Sequence, residues 1–313
     1  MVARRELNIK MTFNNTKSFH TPWRELLTED IDKASVLIKG IPFDRAASIS
    51  KGTSQAPNRI RHLSRFVPPI TEEGIIIKKP FIKDEGNFEV SLNWEKYFNK
   101  IEKGAKILFD SGKFCIFLGG DHSVSIPLQA AFSKHYSSKK IGVIQFDAHC
   151  DLLNEYQGHI WSHACVARRG LENPNLKDEG LTLVGIRSFE EEEISFLNNH
   201  SDIKMITSLE IYEKGIDYLI NELIKRYKDY DSIYISLDID VLDPAFAPGT
   251  GTPEGGGIST REILQIVRKL INELPIKGMD IVEISPPLDN SDITSWAAIK
   301  IIYEVLGQIH LIE

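Results

Sequence analysis

Gln145-Phe-Asp147-Ala-His149-Cys-Asp151 decides the reading of this chain, because three side chains able to bind metal recur at every second position after an apolar run. The preceding Ile-Gly-Val-Ile-Gln-Phe predicts a strand over 140–146. If extended backbone continues beyond it, side chains at i, i+2 and i+4 share one face. Asp147, His149 and Asp151 then converge on one point while Ala148 and Cys150 face away. Two carboxylates and an imidazole crowded together lose hydration and repel unless a positive charge sits between them. A divalent cation supplies that charge; a salt-bridged strand end is the alternative.

The same grammar recurs along the chain. Ala34 to Gly40 is the first predicted strand, followed by a Ser/Gly loop to Pro57 and a helix over 58–66, with Ile60, Leu63 and Phe66 at helical spacing. Pro68, Pro69 and Pro80 punctuate a region expected to be irregular to about Ser91. A helix capped by Asn93 is expected to run to about Ser111, with Tyr97, Ile101, Ala105 and Leu108 on its apolar face. Lys113 to Leu118, bounded by Gly119-Gly120, reads as a strand buried on both faces. Further apolar runs at 181–186, 233–237 and 279–284 alternate with helical patterns at 189–198, 216–227, 260–272 and 291–309. Strands alternating with helices predict an α/β fold with a mainly parallel sheet covered on both faces. No Gly-, Pro- or Ser-rich linker divides the chain, so residues 31–313 are expected to form one domain, with 1–30 as an arm or short helix.

In such a sheet ligands bind beyond the carboxyl ends of the strands. The polar clusters fall there: Gly119-Gly-Asp121-His122 after one strand, Asp147 to Asp151 after another, Asp238-Ile-Asp240 after a third and Glu283 after a fourth. Alternation points Asp238 and Asp240 the same way. With His122, Asp147, His149 and Asp151 they exceed the needs of one ion. Two ions sharing carboxylates fit the set, and oxygen ligands with some imidazole suit Mn²⁺, with Zn²⁺, Fe²⁺, Co²⁺ or Ni²⁺ as alternatives. Asp121 reads as a helix cap or a partner of His122, and Asp243 before Pro244 as a turn residue. His20, His62, His135, His200 and His310 read as surface or core histidines.

A net charge of −7 and no concentrated basic face argue against nucleic acid as a partner. No stretch approaches the ~18 apolar residues of a membrane span, and Met1 to Lys10 lacks the apolar region of a secretory signal. A cytoplasmic protein without a membrane partner is expected. Cys115, Cys150 and Cys165 have no CxxC spacing and read as buried reduced thiols.

The motifs Gly-Gly-Asp121-His122-Ser, Phe-Asp147-Ala-His149-Cys-Asp151, Ser-Leu-Asp238-Ile-Asp240-Val-Leu-Asp-Pro and Asp-Ile-Val-Glu283 closely resemble, in order and spacing, the signatures of the ureohydrolases, the arginase and agmatinase family. The resemblance spans roughly Gly40 to Leu306. It implies a three-layer α/β/α fold with a two-manganese centre, His122, Asp147, Asp151 and Asp238 holding one ion and Asp147, His149, Asp238 and Asp240 the other. It also implies a homo-oligomer, trimer or hexamer.

The chemistry expected of that resemblance is hydrolysis of a guanidinium by a metal-bridging hydroxide, whose parent water two cations can acidify towards pKa ~7. Asp151 is suited to orient the hydroxide and Glu283 to hold the guanidinium through paired charge-assisted hydrogen bonds. His163, in Ser162-His163-Ala-Cys, matches the family's proton-shuttle histidine, with His159 as a competitor. The Glu155-Tyr-x-Gly-x-x-x-Ser-His arrangement, Gly185-Ile-Arg-Ser188 and Phe246 to Glu254 resemble the agmatinase branch more than the arginase branch; Gly255, where Pro is expected, and Cys150 depart from it. A cationic guanidino substrate is implied, agmatine giving putrescine and urea, with Asn154, Glu155 and Thr250 as candidate substrate contacts. Arginine, 4-guanidinobutyrate and other guanidino compounds are the alternatives within the family. From another class, a manganese-dependent Asp-x-Asp glycosyltransferase is weakened by Pro253 within the Gly-rich 249–257 stretch and by the absence of a P-loop Lys-Ser/Thr pair.

Overall fold

The computed structural model describes residues 21–47, 49–78 and 81–312. His20 and the first 20 residues of the expected arm lie outside them. Eight strands form one sheet: β1 (Ala34–Gly40), β2 (Phe81–Asn87), β3 (Phe114–Leu118), β4 (Ile141–Phe146), β5 (Leu181–Ile186), β6 (Lys204–Thr207), β7 (Ser232–Asp238) and β8 (Ile276–Val282). Their order is β2-β1-β3-β8-β7-β4-β5-β6, and every pairing between them is parallel. The central strands are buried along both faces, so their sequences read as continuous apolar runs.

Successive side chains divide between two cores. Ile116, Leu118, Ile144, Phe146, Ile235 and Leu237 pack with α1 (Ala56–Ser64), α7 (Ile216–Tyr227), α8 (Thr260–Glu273) and α9 (Ile293–Ile312) on one side. Cys115, Phe117, Ile141, Val143 and Tyr234 pack with α2 (Trp94–Asp110), α3 (Ser125–His135) and α4 (Val166–Gly170) on the other. The shorter α5 (Glu191–Asn199) and α6 (Ser208–Lys214) follow β5 and β6. This is the three-layer α/β/α arrangement expected from the alternating pattern. Among the described residues, no helix is long and apolar enough to cross a membrane.

Three local outcomes differ from the sequence reading. The region expected to be irregular contains β2, the edge strand beside β1, bridged on its other side by Leu27 through Ile82. Its charged Lys83-Asp-Glu85 is accommodated because Asp84 binds the Arg61 guanidinium of α1 through both oxygens at 2.8 Å and accepts from Trp23 Nε1 at 2.7 Å. Second, β6, α4 and α6 are additional short elements. Third, extended backbone does not continue through the metal motifs. Asp151 has φ +55°, and Ile239–Val241 is a 3-10 turn in which Asp240 N–H donates to Asp238 Oδ1 at 2.9 Å.

Candidate metal centre

The carboxyl ends of β3, β8, β7 and β4 are neighbours in the sheet, which brings motifs more than a hundred residues apart together. After β3 the chain needs glycine: a Cβ on Gly120 would lie 1.7 Å from the Phe43 carbonyl oxygen. Asp121 then accepts from Ser123 N–H at 3.2 Å and starts the 3-10 turn that carries His122.

His122 Nδ1 lies 2.9 Å from Asp151 Oδ2, 3.1 Å from Asp147 Oδ2 and 3.3 Å from Asp238 Oδ2. His149 Nδ1 lies 3.0 Å from Asp240 Oδ2 and 3.5 Å from Asp147 Oδ1. Two sets of ligand atoms therefore converge, His122 with Asp147 and Asp151, and Asp147 with His149 and Asp240. Asp147 belongs to both, one oxygen facing each, and Asp238 touches the first. The first set is sealed, with 2% of the His122 side chain exposed, while 28% of the His149 side chain reaches the surface.

The electrostatics are those of a site missing positive charge. Burial opposes the imidazolium forms, yet hydrogen bonds to Asp147, Asp151 and Asp238 hold His122 well above its ordinary range. Those to Asp147 and Asp240 carry His149 up to about 12. Burial and the Asp147 charge push Asp151 up to about 7, and burial with Asp240 and Asp147 raises Asp238 well above the carboxylate range. Protons on imidazoles stand in for cations here. His122 Nδ1 and Asp240 Oδ2 are buried and, among the described residues, meet no partner outside the cluster itself. Convergent imidazole and carboxylate atoms left in that condition fit a pair of divalent ions.

Supporting residues outside the sequence reading complete the centre. His122 Nε2 meets Ser236 Oγ at 3.0 Å, Ser236 donates to Asp280 Oδ1 at 3.0 Å, and Tyr234 OH donates to Asp280 Oδ2 at 2.9 Å. This chain fixes the imidazole and leaves Nδ1 turned to the carboxylates. Gln145 Nε2 donates to Asp147 Oδ2 at 2.9 Å. The signal was available: Ser236 and Gln145 stand two residues before Asp238 and Asp147, on the same strand faces.

Glu283 follows β8 with φ +60°, a conformation that costs a non-glycine residue of order 1 kcal/mol and here turns the side chain inward. Its Oε1 accepts from His122 N–H at 2.7 Å. Burial, then the Asp121 charge, raises its pKa well above the usual range.

A cavity of about 210 Å³ opens beside the centre, lined by His149, Asp151, Tyr156, His163, Ser188 and Glu190, together with Ile49, Leu153, Ala164, Phe189, Glu193 and Thr252. Burial dominates His163, lowering its pKa to about 4 against a hydrogen bond with the Ala46 backbone. Glu193 is occupied as the partner of a capping box, accepting from Leu152 N–H and Glu190 N–H at 2.9 Å each. Glu190, the N-cap of α5, is exposed at the mouth. No Lys or Arg lines the cavity among the described residues. Arg187 stands next to Ser188, but its guanidinium donates to the carbonyls of Gly185, Asp240 and Glu254.

The remaining candidates sit elsewhere. Asn154 and Glu155 are exposed and do not line the cavity; Asn154 Oδ1 accepts from Arg169 Nη2 at 3.1 Å. His159 stacks on Trp94 with ring centroids 4.7 Å apart. Thr250 is buried with no partner for its hydroxyl. His135 and His200 pair with Asp110 and Asp178, away from the centre. Cys115, Cys150 and Cys165 are free and buried.

Comparison with known proteins agrees with this geometry. The sequence model of the arginase family matches residues 34–307. The chain belongs to the arginase family. Among its relatives is an agmatinase of Bacillus anthracis, 32% identical over 88% of this chain and 92% of that protein. The agmatine ureohydrolase of Thermoplasma volcanium superposes with a TM-score of 0.82 at 30% identity, covering 92% of this chain and 93% of the other. The formimidoylglutamase of Bacillus subtilis gives 0.87 at 27% identity, covering 98% and 96%. An arginase-family hydrolase with a binuclear metal site is therefore the frame for the arrangement around Asp147, and the glycosyltransferase alternative falls away.

Proposed function

We propose that this chain hydrolyses agmatine to putrescine and urea at a centre of two divalent ions, manganese being the expected metal. The observation that carries this reading is the pairing of the two sets sharing Asp147 with a neighbouring cavity that contains carboxylates and, among the described residues, no Lys or Arg. His122, Asp147, Asp151 and Asp238 would hold one ion, and Asp147, His149, Asp238 and Asp240 the other. When bound, the ions supply Lewis acidity, which makes water nucleophilic near neutral pH.

The chain's own residues do the rest. Glu283, desolvated and tied to the His122 backbone through Oε1, offers its other oxygen to the substrate guanidinium, and the incoming cation restores the carboxylate form. Asp151 accepts a hydrogen bond from the attacking water. His163, neutral at pH 7, takes up through its lone pair the proton given up by the attacking water and passes it to the departing amine. Glu190 meets the terminal ammonium; Glu155 and Asn154 do not line the cavity.

Arginine, 4-guanidinobutyrate and a glutamate derivative all end in carboxylate, and such a tail would face Glu190 with no described cation to receive it. The close superposition on a formimidoylglutamase is thus a likeness of fold. The single catalytic domain over 31–313 and the cytoplasmic setting, drawn from the sequence pattern, and assembly into trimers or hexamers, drawn from the motif resemblance, belong to the same reading. The test is urea release from agmatine, arginine and 4-guanidinobutyrate by protein stripped of metal and reloaded with Mn²⁺. Agmatine is expected to turn over fastest; faster hydrolysis of either of the others rejects the assignment.

A further inference from the structure

Gln145 is fully buried and shares a strand face with Asp147. Its Nε2 donates to Asp147 Oδ2 at 2.9 Å and to Asp151 Oδ2 at 3.3 Å. These are the two oxygens that face His122 Nδ1. The opposite end of the amide, Oε1, is buried without a partner. Turning the amide over would set Oε1 against two carboxylate oxygens, so the donor end is fixed towards them. A carboxamide kept in this place with one end unsatisfied must gain at the other.

The residue type fits a particular task. The two hydrogens of one –NH₂ supply one donor to each of two anions, which holds both carboxylates in register without neutralising them. Lys or Arg at the same place would occupy the oxygens as a competing cation, and Glu would add a third anion. A hydrophobe would leave both rotamers unsupported. In the second set the donors are backbone groups: the His149 N–H donates to Asp147 Oδ1 at 2.7 Å and the Ala148 N–H to Asp240 Oδ1 at 3.0 Å, and among the described residues no side-chain amide bridges its carboxylates.

We infer that Gln145 is a positioning residue that presets Asp147 and Asp151 to receive the ion on the His122 side, and thereby makes the two metal sites unequal. This rests on the two-ion reading above. The step it governs is metal capture rather than the hydrolysis itself.

The test is Mn²⁺ titration of metal-free wild-type, Gln145→Met and Gln145→Asn proteins by calorimetry, with bound metal counted after gel filtration. Thermal unfolding is measured with and without Mn²⁺. Met keeps the volume and removes the donors; Asn keeps the amide one methylene further from the carboxylates and serves if Met prevents folding. Wild type is expected to bind two ions, and each variant to bind one of the two at least tenfold more weakly, with a smaller metal-induced rise in Tm. Two ions bound as tightly as in wild type, with Tm lowered equally in metal-free and loaded protein, would show a purely structural role and overturn this inference alone. A wild-type chain that takes up fewer than two ions overturns the two-ion reading and this inference with it.

Discussion

His122 and Glu283, each just beyond the end of one of two neighbouring strands, hold each other in place. The His122 N–H donates to Glu283 Oε1 at 2.7 Å, and the Glu283 N–H donates to the carbonyl of Gly120 at 2.9 Å, two residues before His122. A candidate metal ligand and the candidate guanidinium anchor are thus positioned by one another's backbone. Glu283→Gln keeps an oxygen for the His122 N–H and removes only the charge. Urea release is expected to fall roughly 10²-fold or more, the scale of losing substrate alignment, with Mn²⁺ stoichiometry and Tm unchanged. Retained activity would remove Glu283 from the reaction.

Metal uptake should expel protons. In the metal-free chain His149 is pushed up to about 12, His122 is raised well above its ordinary value, and Asp151 lies at about 7. At pH 7 the site therefore holds protons that the ions must displace. Calorimetry in buffers of different ionisation enthalpy is expected to report release of more than one proton per pair of ions, and affinity should rise with pH. The folded value for His149 exceeds the ordinary 6.5. Its stabilisation of the metal-free fold is complete below pH 6.5 and is lost as pH rises towards about 12. Metal-free Tm should decline over that window, and Mn²⁺-loaded protein should resist the decline. A pH-independent metal affinity would contradict the proton-for-cation exchange.

His163→Gln is expected to lower kcat by about 10²-fold to 10⁴-fold, the usual worth of a positioned acid or base. Added imidazole should restore part of it at pH 7. Wild-type His163, lowered to about 4, keeps its lone pair throughout the neutral range, so its own titration should not limit activity between pH 6 and 8. No rescue by imidazole, together with an unaltered kcat, would leave the residue as a wall of the cavity.

Much of this centre is legible in the sequence because its ligands fall at the ends of strongly apolar strands, where Asp147, Asp238 and Glu283 mark the sheet's carboxyl edge. The fold brings together the residues expected from a period of two, but for a partly different reason. Asp151 arrives through a left-handed turn and Asp240 through a 3-10 turn, neither of which follows from a period of two. β2 escaped notice because an edge strand needs little apolar surface and Phe81–Asn87 is mostly polar. The wall residues escaped for a different cause. Glu190 reaches the cavity from the loop after β5, far in sequence from the 154–163 segment, and the β4–β5 pairing together with the Asn154 N–H to Glu192 Oε1 bond brings the two together.

The edge strand carries a stability prediction. Asp84 binds Arg61 and Trp23 Nε1, and both side chains of the ion pair are about nine-tenths buried. Asp84→Ala removes the counter-charge of a buried guanidinium that keeps only neutral acceptors such as Asn87 Oδ1 and the Gly86 carbonyl, and leaves an indole N–H unpaired, at a cost of about 3 kcal/mol. Chemical denaturation should show that loss while the Mn²⁺ stoichiometry of the folded fraction is retained; a change under 1 kcal/mol would mean solvent replaces the carboxylate.

Tail recognition is tested by Glu190→Gln, which keeps a side-chain oxygen for the helix cap. KM for agmatine should rise about tenfold, on the scale of one lost charge-assisted contact, with kcat nearly preserved. An unchanged KM would assign the ammonium to another part of the mouth.

The carboxylate proposed to face the substrate tail also begins α5, where it and Glu193 form a capping box. Selectivity and local folding are consequently written in one residue. A lysine or arginine introduced there to welcome an anionic tail would forfeit the cap, at about 1 kcal/mol, and set positive charge against the positive end of the helix. Drift towards acid-tailed substrates is therefore hindered along the most direct mutational path. An engineer seeking such a switch would first have to restart the helix one residue away, with Ser, Thr or Asp taking over the cap before the new charge is installed.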